Sequence, residues 1–171
     1  MAIDTGNTTW LLISSALVLL MTPGLALFYG GLNRPKGVQN MIMMSLSCMG
    51  LISVLWLLYG FTMAFGSDGP LGAVIGLPGA EQPHPGSVDL LTQTWGDTGI
   101  PSYVFIAFQM MFAIITVAMI SGAISDRAKF TGWLVFAGGW ATLVYFPVAH
   151  MVWGGGFIAE TIGALDFAGG T

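Results

Sequence analysis

The chain has 171 residues, of which 55% are hydrophobic and only 7% charged, with a formal net charge of −4. Soluble domains carry roughly 25% charged residues, so four basic and eight acidic side chains cannot clothe a water-facing surface of this size. Together with a mean hydropathy of +0.81, this excludes an ordinary soluble domain and puts the chain in a lipid bilayer. No nucleic-acid partner is expected.

The charges leave four long uncharged tracts, 5–33, 37–67, 98–125 and 130–159. A helix needs about 20 residues to cross the hydrocarbon core. The tracts therefore predict four spanning helices, at 9–30, 39–65, 102–124 and 131–150, in an all-α, polytopic membrane helical bundle. The first tract follows Asp4 with no lysine or arginine before it, so a signal peptide with a positive n-region is not expected. Cys48 is the single cysteine, which rules out a disulfide within the chain.

The basic residues are Arg34, Lys36, Arg127 and Lys129. One pair follows the first span and the other the third, so both loops lie on one side, which the positive-inside rule makes cytoplasmic. The N-terminus and the 66–101 loop then lie outside, with Asp4, Asp68, Glu81, Asp89, Asp97, Glu160 and Asp166. That loop is rich in glycine and proline and reads as an irregular external connection, with one short helix near 87–95.

Chemistry is absent from the spans. No carboxylate or lysine lies inside one, although intramembrane charges usually mark ion pathways. There is no phosphate-binding loop, no metal-ligand cluster, no cofactor motif and no nucleophilic triad spacing, so an enzyme is not expected. What remains is aromatic, small and polar. "FQMMFAIIT" in the third span offers Phe108, Gln109 and Phe112, with the two phenylalanines four apart on one face. They are either packed or lipid-facing rings, or a constriction hostile to hydrated ions. "AHMVWGGG" sets His150 and Trp153 at the outer end of the fourth span. Trp153 is either an interfacial belt tryptophan or a cation site, since an indole face attracts an ammonium-like ion. His150 reads as a structural hydrogen-bonding histidine. In "ALDFAGGT", Asp166 reads as a helix N-cap, with the first turn of a fifth helix at 166–171.

Taken in order, "PGLALFYGGLNRPKGVQNM", "YGFTMAFG", "FQMMFAIIT", "AHMVWGGG" and "ALDFAGGT" resemble the ammonium transporters of the Amt/Mep/Rh type. Each motif is weakly specific and the set is strongly so. The resemblance implies about eleven spanning helices, built as two inverted halves around a pore in each of three subunits. Residues 1–171 would be the first, partial portion of such a domain. Residue by residue, Trp153 matches the tryptophan that contacts ammonium in the outer vestibule. Phe112 matches one phenylalanine of the gate, and Phe108 and Gln109 stand near that vestibule. Asp166 matches an aspartate that caps the fifth helix and supports the outer site. The Trp153-to-Asp166 link is about one residue longer than usual, and Asp126 stands where glutamate is common. The family's pore histidines have no counterpart: His84 falls in the external loop, and His150 matches a histidine outside the pore pair.

The implied function is ammonium or ammonia transport by a full-length homotrimer in the cell membrane, the fragment alone being inactive. An ammonium sensor on the same fold and a self-contained four-span structural subunit are the alternatives. A small PII-type regulatory protein is an expected partner at the cytoplasmic loops.

Overall fold

Within hydrocarbon a backbone must satisfy its own polar groups, and a helix does so locally. The computed structural model describes residues 2–66, 71–77 and 93–171. Four helices in it are long and apolar enough to span a membrane: Thr5–Leu32, Val38–Phe65, Ser102–Ile124 and Phe130–Glu160.

Local chemistry sets the ends. Asp4 caps the first helix, its Oδ1 accepting from the Asn7 N–H at 2.7 Å while the Thr8 hydroxyl donates to the Asp4 carbonyl at 2.6 Å. The third span closes in a tightened 3-10 turn at Ser121–Ile124. The fourth runs to Trp153, breaks at glycines 154–156 and resumes as the short helix Phe157–Glu160. Gly154 is needed there, because a Cβ would collide with the Ala64 carbonyl and the His150 ring.

The second span is the hub and packs against the other three. Its buried residues Met44, Cys48, Ile52, Trp56 and Phe61 meet Ala113, Ile114 and Val117 of the third span. On the other side they meet Trp133, Ala137 and Phe146 of the fourth. Buried indoles bring their N–H groups to carbonyls: Trp56 Nε1 donates to Ile106 at 3.1 Å, and Trp133 Nε1 to Met44 at 2.7 Å. By contrast, the first span packs only one face and leaves Trp10, Leu17, Leu20 and Leu27 exposed.

The second and fourth spans each contain one π turn, at Trp56–Gly60 and Ala141–Tyr145. A π turn inserts a residue and shifts the register of everything beyond it. The two turns face each other. The Tyr59 and Thr142 hydroxyls are 2.8 Å apart, and the Phe146 ring lies so close to Gly60 that a Cβ would be 2.6 Å from its tip.

Both basic loops lie at one end of the bundle. There the Ser125 hydroxyl donates to Asn33 Oδ1, Asn40 Nδ2 donates to the Ala128 carbonyl at 3.4 Å, and the Asp126 carboxylate fills the space beside Gly37. Asp126 takes a left-handed backbone conformation, φ 59°, which aspartate tolerates better than most residues. At the opposite end the N-terminus is tied to the segment before the third span, Asp4 N–H donating to Gly99 O at 2.9 Å and Asn7 Nδ2 to Thr98 O at 3.2 Å.

Two local expectations concern the loop and residues 166–171. The short helix near 87–95 falls mostly outside the described residues. Its described end, 93–95, is not helical, because Thr94 pairs with Pro101 in an antiparallel bridge. Residues 166–171 form a turn and an irregular strand of chain rather than a first helical turn. Gly169 sits at φ +70°, outside right-handed helical space, so the chain is still turning there.

Candidate functional site

The third span presents Phe105, Phe108, Gln109 and Phe112 at spacings of three and four, which stack along one helix face. Phe108 and Phe112 meet edge to face, with ring centroids 5.0 Å apart at 83°. These four residues, together with Phe65, Trp95, Trp153 and Gly169, line a cavity of about 370 Å³ at the end away from the basic loops. Four of the five residues singled out from sequence therefore share one cavity: Trp153, Phe108, Gln109 and Phe112.

The fifth, Asp166, holds the cavity's tryptophan from behind. Trp153 Nε1 donates to Asp166 Oδ2 at 3.1 Å. The same carboxylate accepts from the Gly170 and Thr171 N–H groups, each at 3.1 Å. Asp166 thus behaves as a cap for a backbone turn, although through residues four and five ahead rather than through a completed helix. The Thr171 hydrogen bonds, ahead of those from Trp153 and Gly170, hold its carboxyl below the ordinary 3.8. An ionised carboxylate thus holds the N–H edge of an indole that lines the cavity.

His150 stays out of the cavity. It is fully buried, with Nδ1 3.2 Å from the Ala64 carbonyl and Nε2 2.7 Å from the Gly72 carbonyl. The ring thereby binds the fourth span to the end of the second and to the loop beyond it, a structural role. His84 lies outside the described residues. Among the described residues no cluster of histidine, cysteine, aspartate and glutamate is suited to a metal ion.

Sequence reasoning missed Phe65, Trp95, Phe105 and Gly169 as lining residues. Phe105 was within reach, since it precedes Phe108 by one helical step. Phe65 lies in "YGFTMAFG" beyond a π turn, and the register shift conceals its facing from any regular periodicity. Trp95 comes from the loop and had no signal. The rings pack as a connected set: Trp95 stacks on Phe105 at 4.3 Å and 11°, and Phe65 meets both edge-on, at 6.0 and 5.4 Å.

The arrangement offers a weakly polar, aromatic-walled chamber with an indole fixed by an anion. Such a chamber favours a small cation with a modest cost of dehydration, because ring faces attract positive charge while apolar walls replace none of the water an ion leaves behind.

Comparison with known proteins agrees in sequence and in fold. The sequence model described as the Ammonium Transporter Family matches residues 9–171. An ammonium transporter of Mycobacterium tuberculosis is 54% identical over 186 residues, an alignment covering 98% of this chain and 39% of that protein. One from Aquifex aeolicus is 48% identical, covering 99% of this chain and 38% of that protein. Among solved structures, Candida albicans Mep2 superposes with a TM-score of 0.79 at 30% identity, over 98% of this chain and 35% of its own. The chain thus spans about two fifths of the length of the curated relatives it matches.

Proposed function

This chain belongs to the ammonium transporter family, and we propose that it supplies the outer mouth of an ammonium pathway in a protein of its relatives' length. The observation carrying this reading is the single cavity shared by Trp153, Phe108, Gln109 and Phe112.

Each residue has a physical task. Trp153 concentrates the cation at the mouth, a contact worth about 0.5–2 kcal/mol. Asp166 holds the indole and adds negative potential nearby. Gln109 offers a polar group where hydration is being lost. Phe108 and Phe112, crossed edge to face, narrow the way inward and strip water. An intact ion at the bilayer centre costs at least about 2.5–3.5 kcal/mol, so a charge-free pore favours passage of ammonia with the proton taking a separate route. Potassium has no proton to give up and is excluded. The proton-relaying histidines implied by the resemblance have no counterpart among residues 1–171, and residues 1–171 expressed alone are expected to show no uptake.

The same reading places the protein in the cell membrane with its N-terminus outside, because all four basic residues lie on the two loops at the other end. A homotrimer, and a PII-type regulator docking at those basic loops, complete the proposal on family grounds.

Uptake of labelled methylammonium by transport-deficient cells expressing the complete reading frame tests it. Ammonium is expected to compete and potassium not to. Uptake no faster than in empty cells, or equal competition by potassium, would contradict the proposal.

A further inference from the structure

Resting on the reading of the outer cavity as a cation site, we propose that Trp95 is a specificity-determining wall of that site, the surface that receives the alkyl part of a substituted ammonium ion. Trp95 differs from the other rings lining the cavity in its origin. Phe65, Phe105, Phe108, Phe112 and Trp153 all stand on spanning helices, whereas Trp95 is delivered by the external segment that precedes the third span.

That segment is built to hold one ring still. Thr94 pairs with Pro101, the Trp95 N–H donates to Ile100 O at 2.8 Å, and the Ser102 N–H donates to Gln93 O at 3.0 Å. The Thr98 hydroxyl closes the turn by donating to the Trp95 carbonyl at 2.6 Å. Gly96 and Gly99, at φ +50° and +69°, supply the two left-handed positions the turn requires. From outside, Asp4 and Asn7 fasten the tip to the start of the first span. The indole itself is stacked on Phe105 and met at 5.8 Å and 69° by Phe61. Its position is fixed by loop and rings together, yet it still borders the cavity.

A fixed two-ring slab, Trp95 on Phe105, is an apolar surface. Among the described residues, the carboxylate bonded to a ring lining the cavity is that of Asp166, on Trp153. The charged end of a ligand therefore belongs at Trp153, and any methyl group at the slab. Transfer of one methyl from water to such a surface is worth about a three- to fivefold change in affinity. Trp95 would then act on methylammonium and much less on ammonium.

The test uses the complete transporter in proteoliposomes. The KM for labelled methylammonium and the inhibition constant of unlabelled ammonium are measured together. For Trp95→Leu, the methylammonium KM is expected to rise about three- to fivefold while the ammonium constant moves less than about twofold. Trp95→Phe is expected to shift the ratio in the same direction by a smaller factor, and it serves alone if the leucine variant does not reach the membrane. A purely structural role would lower the maximal rate for both ions and leave the ratio unchanged. An unchanged ratio in the Trp95 variants, with both constants raised in Trp153→Leu, overturns the assignment of Trp95 and leaves the cavity intact. Constants unchanged in the Trp95 and Trp153 variants alike overturn the cation site itself.

Discussion

The two ends of the bundle are made of different materials. At the end away from the basic loops, rings from two spans, one loop and the fourth helix's terminus line an open cavity, some stacked and some edge to face. At the end carrying the basic loops, short polar bonds join the helices: Ser45 to Ser121, Ser125 to Asn33, and Tyr29 Oη to the Met119 carbonyl. Planar rings wall an open cavity at the first end, whereas serine side chains at the other let backbones approach closely. The cavity end is thus suited to admit a ligand, and the end with the basic loops to fix the register of the helices that frame it.

Substitutions can break this contrast. Gly154→Ala should have the largest effect, because its Cβ would overlap a backbone carbonyl and a buried imidazole that cannot swing aside. A loss of about 3 kcal/mol or more is expected, seen as a sharply lowered melting temperature of the complete protein in detergent. A melting temperature equal to the parent's would mean that the helix end is looser than the packing of His150 implies.

Asp166→Ala should act on transport before stability. Without the carboxylate the Trp153 indole loses its partner, and the methylammonium KM is expected to rise several-fold. The pH dependence carries a definite sign. The folded carboxyl titrates below the ordinary 3.8, so its contribution is complete above that value and fades only as pH falls through the lower, folded value. Between pH 7 and 5, the indole fluorescence difference between the parent and Asp166→Ala should stay constant. A difference that fades across that window would contradict the ionised cap.

Ser45→Ala should have the smallest effect. Ser121 keeps its 2.6 Å bond to the Ala118 carbonyl after the Ser45 hydroxyl is gone, so about 0.6 kcal/mol is expected, with methylammonium KM unchanged. A changed KM would show that the two ends are not separate in function.

Charge placement made much of the fold legible before any coordinates. The four membrane-length helices follow from uncharged tracts, and both basic pairs lie at one end. Facing was harder to read. Leu17 and Leu20 of the first span and Ile52 of the second are equally apolar, yet the first two are exposed and the last is buried. Lipid and core both accept leucine and isoleucine, so hydropathy cannot sort them. The π turns hide further information, since a one-residue insertion at Trp56–Gly60 moves Phe65 off the periodicity of the residues before it. Trp153, Phe108, Gln109 and Phe112 were singled out through motifs, and the fold brings them to one cavity. Trp95 was not, because a loop's path is set by turn bonds such as Trp95 to Ile100 that no hydropathy pattern encodes.

The central claim is that the aromatic cavity around Trp153 collects the cation. It is tested most directly by methylammonium uptake kinetics of Trp153→Leu in the complete protein, with membrane abundance matched to the parent. The account predicts a KM raised roughly two- to thirtyfold, the range corresponding to loss of a cation–π contact. A KM and maximal rate both equal to the parent's would contradict it.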